Sequence, residues 1–360
     1  MKKGLLITFL ALVIVSGCSV LPGLSPTGQS IEITDTTGHV VTLDGVPERI
    51  AIAGRATNMV QDAVFLFDDA VQKVIALENR NQSAFSFLPV VDPGIFDKEM
   101  FEMNAGPEQI AAAHSDLVIL KSFMAEQLGE PLEQLSIPVV YLDLETPEVF
   151  YQDITVLGQV FGKPDRAEEI INFYRERVSR VEELVSGVGP DQKPEVLILK
   201  YSDKGGEVAF SVPPVSWLQT SMVEISAGSP VWKSLEVSGG WTIVNLEQIA
   251  AWDPDQIYII DYSGNASAVK ADLLNNPIWG NLRAVENDQL FAFGFDYYSW
   301  DQPDTRWILG LQWLATKIHP DLTAEIDIME EVISFYSELY NLEPGVIDAE
   351  ILPNLTGDLP

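Results

Sequence analysis

One phrase occurs twice in this chain and constrains its fold more than any other feature. PEQIAAAHSDLVIL runs from Pro107 to Leu120, and LEQIAAWDPDQIYI from Leu246 to Ile259. Glu, Gln, Ile, Ala, Ala and Asp fall at the same offsets, 139 positions apart (247 minus 108). Each copy reads as a short helix followed by an aliphatic strand. Asn245 is a suitable N-cap with Gln248 at N3, the capping-box pattern. In the first copy Gly106 takes the cap position and Pro107 falls at N1, where its missing N–H costs nothing. Glu108 and Glu247 then both occupy N2. The duplication predicts two similar lobes.

The surroundings of each copy agree. Short aliphatic runs at Arg49–Ala53, Lys73–Leu77, Leu117–Leu120 and Val139–Leu142 alternate with helical patterns, as in βα units with mostly parallel strands. A hairpin signal precedes them in IEITDTTGHVVTL. Further runs at Val196–Leu199, Ile257–Ile260 and Leu290–Phe293 form a second series. Between the two, helical periodicity is interrupted at Gly162 to Pro164, and the part after Pro164 predicts one helix of about twenty residues, some 30 Å long. The expected fold is therefore α/β: two Rossmann-like lobes with mostly parallel sheets, joined by a single long linker helix. The expected division is an N-terminal lobe over 31–145, a linker region over 146–190, a C-terminal lobe over 191–342 and an irregular tail over 343–360.

The N-terminus, MKKGLLITFLALVIVSGC, has two lysines, an apolar run too short for an ordinary membrane span, and Val15-Ser16-Gly17-Cys18, which resembles a bacterial lipobox. Cys18 is the sole cysteine. This predicts a signal peptide over 1–17, lipid on Cys18 as the protein's link to the membrane, and a flexible tether over 18–30, rich in Ser, Pro and Gly. With 21 Lys+Arg against 53 Asp+Glu, the chain carries a formal charge of −32. Nucleic acids and anionic lipid surfaces are poor partners for such a chain.

Parallel α/β sheets bind ligands beyond the carboxyl ends of their strands. Basic residues are scarce here, yet Arg55, Arg80, Lys121 and Lys200 stand at or just past four expected strand ends, with Tyr201 beside the last. They predict a locally positive crevice suited to an anionic ligand. Arg55 and Lys200 are the strongest candidates, and Lys121 reads as facing away. Aromatic residues gather in second-half loops: Trp217, Trp241, Tyr297, Tyr298 and Trp300. In the first half, NRNQSAFSFLP adds Gln82 and Phe85. Asp301, Asp304 and Arg306 read as a helix cap with a local ion pair. The segment 202–217 reads as a long loop.

Several stretches, in order, resemble one family: PERIA at Pro47–Ala51, both copies of the repeat, LGQVFGKPDRAEEI at Leu157–Ile170, SAGSPVWK at Ser226–Lys233 and WDQPDTRWILGLQWLATKIHP at Trp300–Pro320. The family is that of ABC-importer substrate-binding lipoproteins for iron–siderophores, haem and cobalamin. The resemblance implies a monomeric extracytoplasmic receptor, lipid-anchored to the cell membrane, with a shallow interlobe cleft and little hinge closure. It implies a metal chelate as ligand, a ferric siderophore first, with a corrinoid, haem or an oxyanion such as molybdate as alternatives. It implies no cofactor and no metal held directly by the protein. The partner is an ABC permease dimer with its ATPase subunits, docked through Glu108 and Glu247. Trp241 matches a family position, six residues before the docking Glu, that lines the corrinoid pocket. Other classes remain open from sequence: a sensory or structural lipoprotein, or a lipid-tethered hydrolase. The chain contains no Gly-x-Ser-x-Gly elbow, P-loop, Rossmann fingerprint or HExxH. Its three histidines, His39, His114 and His319, are far apart in sequence.

Overall fold

The computed structural model describes residues 30–79, 86–235 and 239–360. The signal peptide, Cys18 and the rest of the tether up to residue 29, together with Arg80, Gln82 and Phe85, lie outside the described residues.

The first lobe opens with the expected hairpin, β1 (Ile31–Thr34) against β2 (Val40–Leu43), with Ile31 opposite Leu43. Five strands follow: β3 (Ile50–Ile52), β4 (Val74–Glu78), β5 (Glu99–Phe101), β6 (Leu117–Lys121) and β7 (Val139–Leu142). They form one all-parallel sheet in the order β5-β4-β3-β6-β7. Their near-continuous aliphatic sequences are what a sheet covered on both faces requires. Two helices position the functional parts, α1 (Thr57–Val64) after β3 and α2 (Pro107–Ala111) before β6.

Helix α3 (Pro147–Phe161) leaves this lobe, capped by the Thr146 hydroxyl and ended by Gly162 in the left-handed region (φ 64°). Pro164 at N1 then starts α4 (Pro164–Val185), whose 22 residues cross to the second lobe.

The second lobe contains β8 (Glu195–Lys204), β9 (Glu207–Val212), β10 (Ser229–Pro230), β11 (Thr242–Val244), β12 (Gln256–Ile260) and β13 (Leu290–Ala292). Its sheet runs β11-β9-β8-β12-β13, with β10 also on β8. The parallel pairs are β8–β12, β12–β13 and β8–β10, while β9 and β11 are antiparallel additions. The segment read as a long loop is thus largely a β-hairpin: β8 runs on to Lys204, turns at Gly205 and Gly206 (φ 68° and 88°), and returns as β9. Alternation favoured a strand there, but the paired glycines masked it.

The repeat sits at equivalent places in the two lobes. Helix α5 (Leu246–Trp252) precedes β12 as α2 precedes β6. Asn245 accepts from the Gln248 N–H at 2.8 Å, and the Gln109 side chain accepts from the Gly106 N–H at 3.0 Å. Ile110 and Ile249 are fully buried, and a left-handed residue follows each helix at the same offset in the repeat, His114 (φ 52°) and Asp253 (φ 45°), the second as the immediate C-cap. The repeated aspartates also act alike. Asp116 Oδ2 accepts from the backbone N–H groups of Glu48 and Arg49 at the entry to β3, and Asp255 Oδ2 from that of Glu195 at the entry to β8.

After α6 (Trp307–Ile318), helix α7 (Ile328–Ser334) and the turns behind it cross back towards the first lobe. Residues 344–354 form short helical turns that bury Ile347 and Ile351, and Thr356 pairs with Phe295. One apolar core extends through both lobes and the linker, and a smaller one lies on the other face of the first sheet around Val118, Leu120 and Tyr141. Among the described residues, no helix is long and apolar enough to cross a membrane.

Candidate functional site

A cavity of about 200 Å³ lies between the lobes, beyond the carboxyl ends of the strands. The first lobe contributes Ala56, Met59, Lys121, Phe123 and Glu145, and the second Trp217, Gln219, Trp241, Tyr262 and Pro303.

The second-lobe wall is aromatic. Trp217 and Trp241 meet edge to face with centroids 6.0 Å apart, and Trp241 meets Tyr262 likewise at 6.2 Å. The Lys200 ammonium lies over both rings, 4.5 Å from the Trp241 centroid and 5.6 Å from that of Tyr262. Such contacts hold a cation over an aromatic face. Behind the wall, Asp301 is fully buried and accepts from the Tyr262 hydroxyl (3.1 Å), Gln219 Nε2 (3.1 Å) and the Ser299 hydroxyl (2.5 Å). Burial pushes its carboxyl up to about 6, against the pull of these hydrogen bonds.

The first-lobe wall holds an ion pair. Lys121, with its side chain 1 % exposed, bonds Glu145 Oε1 at 2.8 Å and also donates to the Asp143 carbonyl. Burial pushes the Glu145 carboxyl up, and Lys121 beside it opposes that shift. The loop carrying Glu145 is held from below by Asp153 of α3. Its Oδ2 accepts from the Asp143 and Leu144 N–H groups at 2.8 and 2.7 Å, and its Oδ1 from the Thr36 hydroxyl at 2.8 Å. Burial pushes the Asp153 carboxyl up to about 7. At the rim, the exposed Arg55 guanidinium lies 5.5 Å from the Phe123 ring.

Of the residues singled out from sequence, Trp217 and Trp241 line the cavity, Lys200 backs its wall and Arg55 stands at its rim. Lys121 lines it too, which corrects the reading that it faces away. Tyr201 follows Lys200 on β8 and so points to the opposite face, where it packs against Phe210 with centroids 5.8 Å apart. Tyr297, Tyr298 and Trp300 are buried and absent from the lining. Tyr297 donates to the Glu350 carbonyl, Tyr298 lies 5.1 Å from the Arg306 guanidinium, and Trp300 donates to Asp296. The C-terminal segment holds Tyr297, while Tyr298 packs on Arg306 and Trp300 lies against Gly294 and Gly310 in the core. Met59, Phe123, Glu145 and Tyr262 were missed, although the last three sit two or three positions past β6, β7 and β12. The strand-end rule finds them once it is applied to aromatic and acidic residues.

Arg306 differs from expectation as well. Asp304 lies 3.8 Å from it, but the guanidinium also pairs with Asp296 (2.7 Å) and with Asp62 of the first lobe, and all four side chains are fully buried. Burial pushes Asp62 up to about 6 against the pull of Arg306, and pushes Asp304 well up. Phe87 of the first lobe inserts beside this cluster, with Tyr297, Tyr336 and Tyr340 around it at 5.5, 5.5 and 4.9 Å.

Glu108 and Glu247 are both exposed at N2 of their helices. Two lobes, a linking helix and an interlobe cavity describe a solute receptor, and the profile of the family described as "Periplasmic binding protein" matches residues 46–297. The chain belongs to the periplasmic binding protein family. This is a family of extracytoplasmic solute receptors for ABC importers, not of enzymes. This binding protein is 24% identical over 288 residues to the iron-uptake system-binding protein of Bacillus subtilis, across 78% of this chain and 84% of that one. It is 21% identical over 254 residues to the molybdate-binding protein MolA of Haemophilus influenzae, across 65% and 69%. Among solved structures, a periplasmic solute binding protein of Veillonella parvula superposes with a TM-score of 0.71 at 23% identity, over 90% of this chain and 97% of that one. MolA with bound molybdate also gives 0.71, at 17% identity, over 87% and 98%. At these identities the structural likeness speaks for the fold alone.

Proposed function

We propose that this protein captures an anionic metal chelate, most simply a ferric siderophore with aromatic iron-binding arms, and delivers it to an ABC permease. The observation that carries the reading is the aromatic wall Trp217–Trp241–Tyr262 with Lys200 fixed upon it. An aryl arm of a chelate gains burial and stacking against such a wall, and its negative charge meets Lys200 and Arg55. A bare oxyanion such as molybdate is served less well, because its oxygens need several converging donors and the lining is mainly apolar. A ferric chelate, haem and a corrinoid all exceed this cavity of about 200 Å³ and would project from the cleft, so size alone does not separate them. The likeness to an iron-uptake binding protein supports the ferric reading.

In this reading Glu108 and Glu247, one per lobe at matching helix starts, dock on the two permease subunits. A lipid on Cys18 keeps the receptor at the membrane, and it acts as a monomer.

Titration of the purified protein with ferric tris-catecholate, molybdate, haemin and cyanocobalamin, followed by tryptophan fluorescence, tests the ligand class. The expected result is saturable quenching by the ferric catecholate that weakens about 10-fold or more in Trp241→Ala, a loss of about 1.4 kcal/mol. Saturable binding of molybdate with none of the ferric complex would overturn the proposal.

A further inference from the structure

Glu78 ends β4 and is 1 % exposed. Its two carboxylate oxygens are divided between two loops. Oε2 accepts from the Gly54 N–H at 2.6 Å, and Oε1 accepts from the Asn104 N–H at 2.7 Å. Gly54 belongs to the rim of the cleft: it follows β3 and immediately precedes Arg55 and the cavity-lining Ala56. Asn104 stands just before Gly106, the cap of α2, and four positions before Glu108. One buried carboxylate therefore grips both the loop facing the ligand and the loop presenting the docking glutamate.

Both points of attachment have left-handed backbone. Gly54 has φ +90°, and a Cβ there would lie 3.0 Å from Met124 Cγ. Asn104 is also left-handed, at φ 63°. Hydrogen bonds from backbone N–H groups to an ionised carboxylate are shorter and stronger than neutral ones. In the second lobe the corresponding path is covalent: Trp241 in the cavity wall and Glu247 are six residues apart, joined by β11 and the Asn245 cap. The first lobe has no such short covalent route, since 53 residues separate Arg55 from Glu108 (108 minus 55).

We propose that Glu78 is a positioning residue that couples the cleft rim to the docking helix of the first lobe. A ligand that shifts the Gly54–Ala56 loop moves the start of α2, and with it Glu108, through this carboxylate. The coupling is reciprocal, as linkage requires. The functional meaning rests on the docking reading of Glu108, but the test does not.

The test is amide hydrogen exchange on the full chain, with Gly54→Ala and Asn104→Ala perturbing one loop each. Gly54→Ala is expected to speed exchange at residues 104–109 by about 10-fold, and Asn104→Ala to do the same at residues 54–56. In a Glu78→Gln background, which replaces one acceptor oxygen by an amide, each cross-effect is expected to fall to about 2-fold or less. A merely structural role for Glu78 would loosen both loops without removing the cross-effects. Cross-effects that survive Glu78→Gln undiminished overturn the proposal. So does a perturbation that stays confined to its own loop in the wild-type background, a result that stands even if Glu78→Gln fails to fold. Either failure leaves the docking reading intact, because that is judged by uptake.

Discussion

Arg306 and Asp62 form an ion pair between the two lobes with both side chains at zero exposure, and 244 positions separate them in sequence. Removing the guanidinium leaves Asp62, Asp296 and Asp304 together in the core. Breaking a buried pair from one side typically costs about 3–5 kcal/mol. Arg306→Met is therefore expected to lower stability by that order, and Asp62→Asn by less, because its amide oxygen still accepts. The double variant should lose less than the sum of the two. Urea unfolding followed by tryptophan fluorescence and circular dichroism checks this, and additive losses would remove the pairing argument.

Buried carboxylates give the protein an acid-favoured stability. Burial raises Asp153 to about 7, and Asp62 and Asp301 to about 6, from the ordinary carboxyl value of 3.8. Between pH 4 and 7 the folded chain holds protons that the unfolded chain has released, so stability falls as pH rises through this window and levels off above it. Melting temperature is expected to rise by roughly a few degrees from pH 8 to pH 5. Asp153→Asn mimics the protonated acid: its amide can donate to Thr36 while its oxygen faces the Asp143 and Leu144 N–H groups. That variant should be at least as stable as wild type at pH 8 and should show a shallower slope. A wild-type melting temperature that rises with pH across this window would contradict the assignment.

The repeated aspartates predict a pair of losses, one in each lobe. Asp116→Ala leaves the Glu48 and Arg49 N–H groups without their acceptor, and Asp255→Ala leaves the Glu195 N–H and the Arg283 guanidinium without theirs, at about 1–2 kcal/mol each. Because the sites lie in different lobes, the double variant should show the sum. Denaturation midpoints decide this, and two unaffected midpoints would show that water replaces the carboxylates.

The docking pair predicts a separation of activities. With both Glu108 and Glu247 changed to Ala, the ligand titration should match wild type, while uptake in cells relying on this receptor should drop about 10-fold or more. The charge lost is exposed and away from the cavity lining. Normal uptake by the double variant would remove these residues from the interface.

Much of this architecture was legible because local signals and tertiary roles coincide. Short continuous aliphatic runs became the parallel strands, Pro164 opened the long helix, and the repeated phrase fixed the equivalence of the lobes. The rule about strand ends reached Arg55, Lys121 and Lys200 because topology alone brings such positions to one edge. It did not reach Tyr297, Tyr298 and Trp300. Their segment, FGFDYYSWDQPD, has the glycine, proline and acids of an exposed loop, yet residues 328–351 cover it. Nothing near Arg306 announces a partner in α1, since that pairing arises only once both lobes are assembled. The hairpin at 195–212 was hidden by its glycines, which turn it tightly instead of making it a loop.

The seat of Phe87 is made from Tyr297, Tyr336 and Tyr340, and the Tyr340 hydroxyl also donates to the Asp62 carbonyl. A chain that emerges amino end first, from a ribosome or through a translocation pore, therefore carries an unfinished first lobe until Tyr340 has emerged. During that interval an apolar ring and an unpaired acid await partners more than two hundred positions downstream. Export and maturation are thereby tied together: the first lobe is completed only after the segment that carries Tyr336 and Tyr340 has crossed.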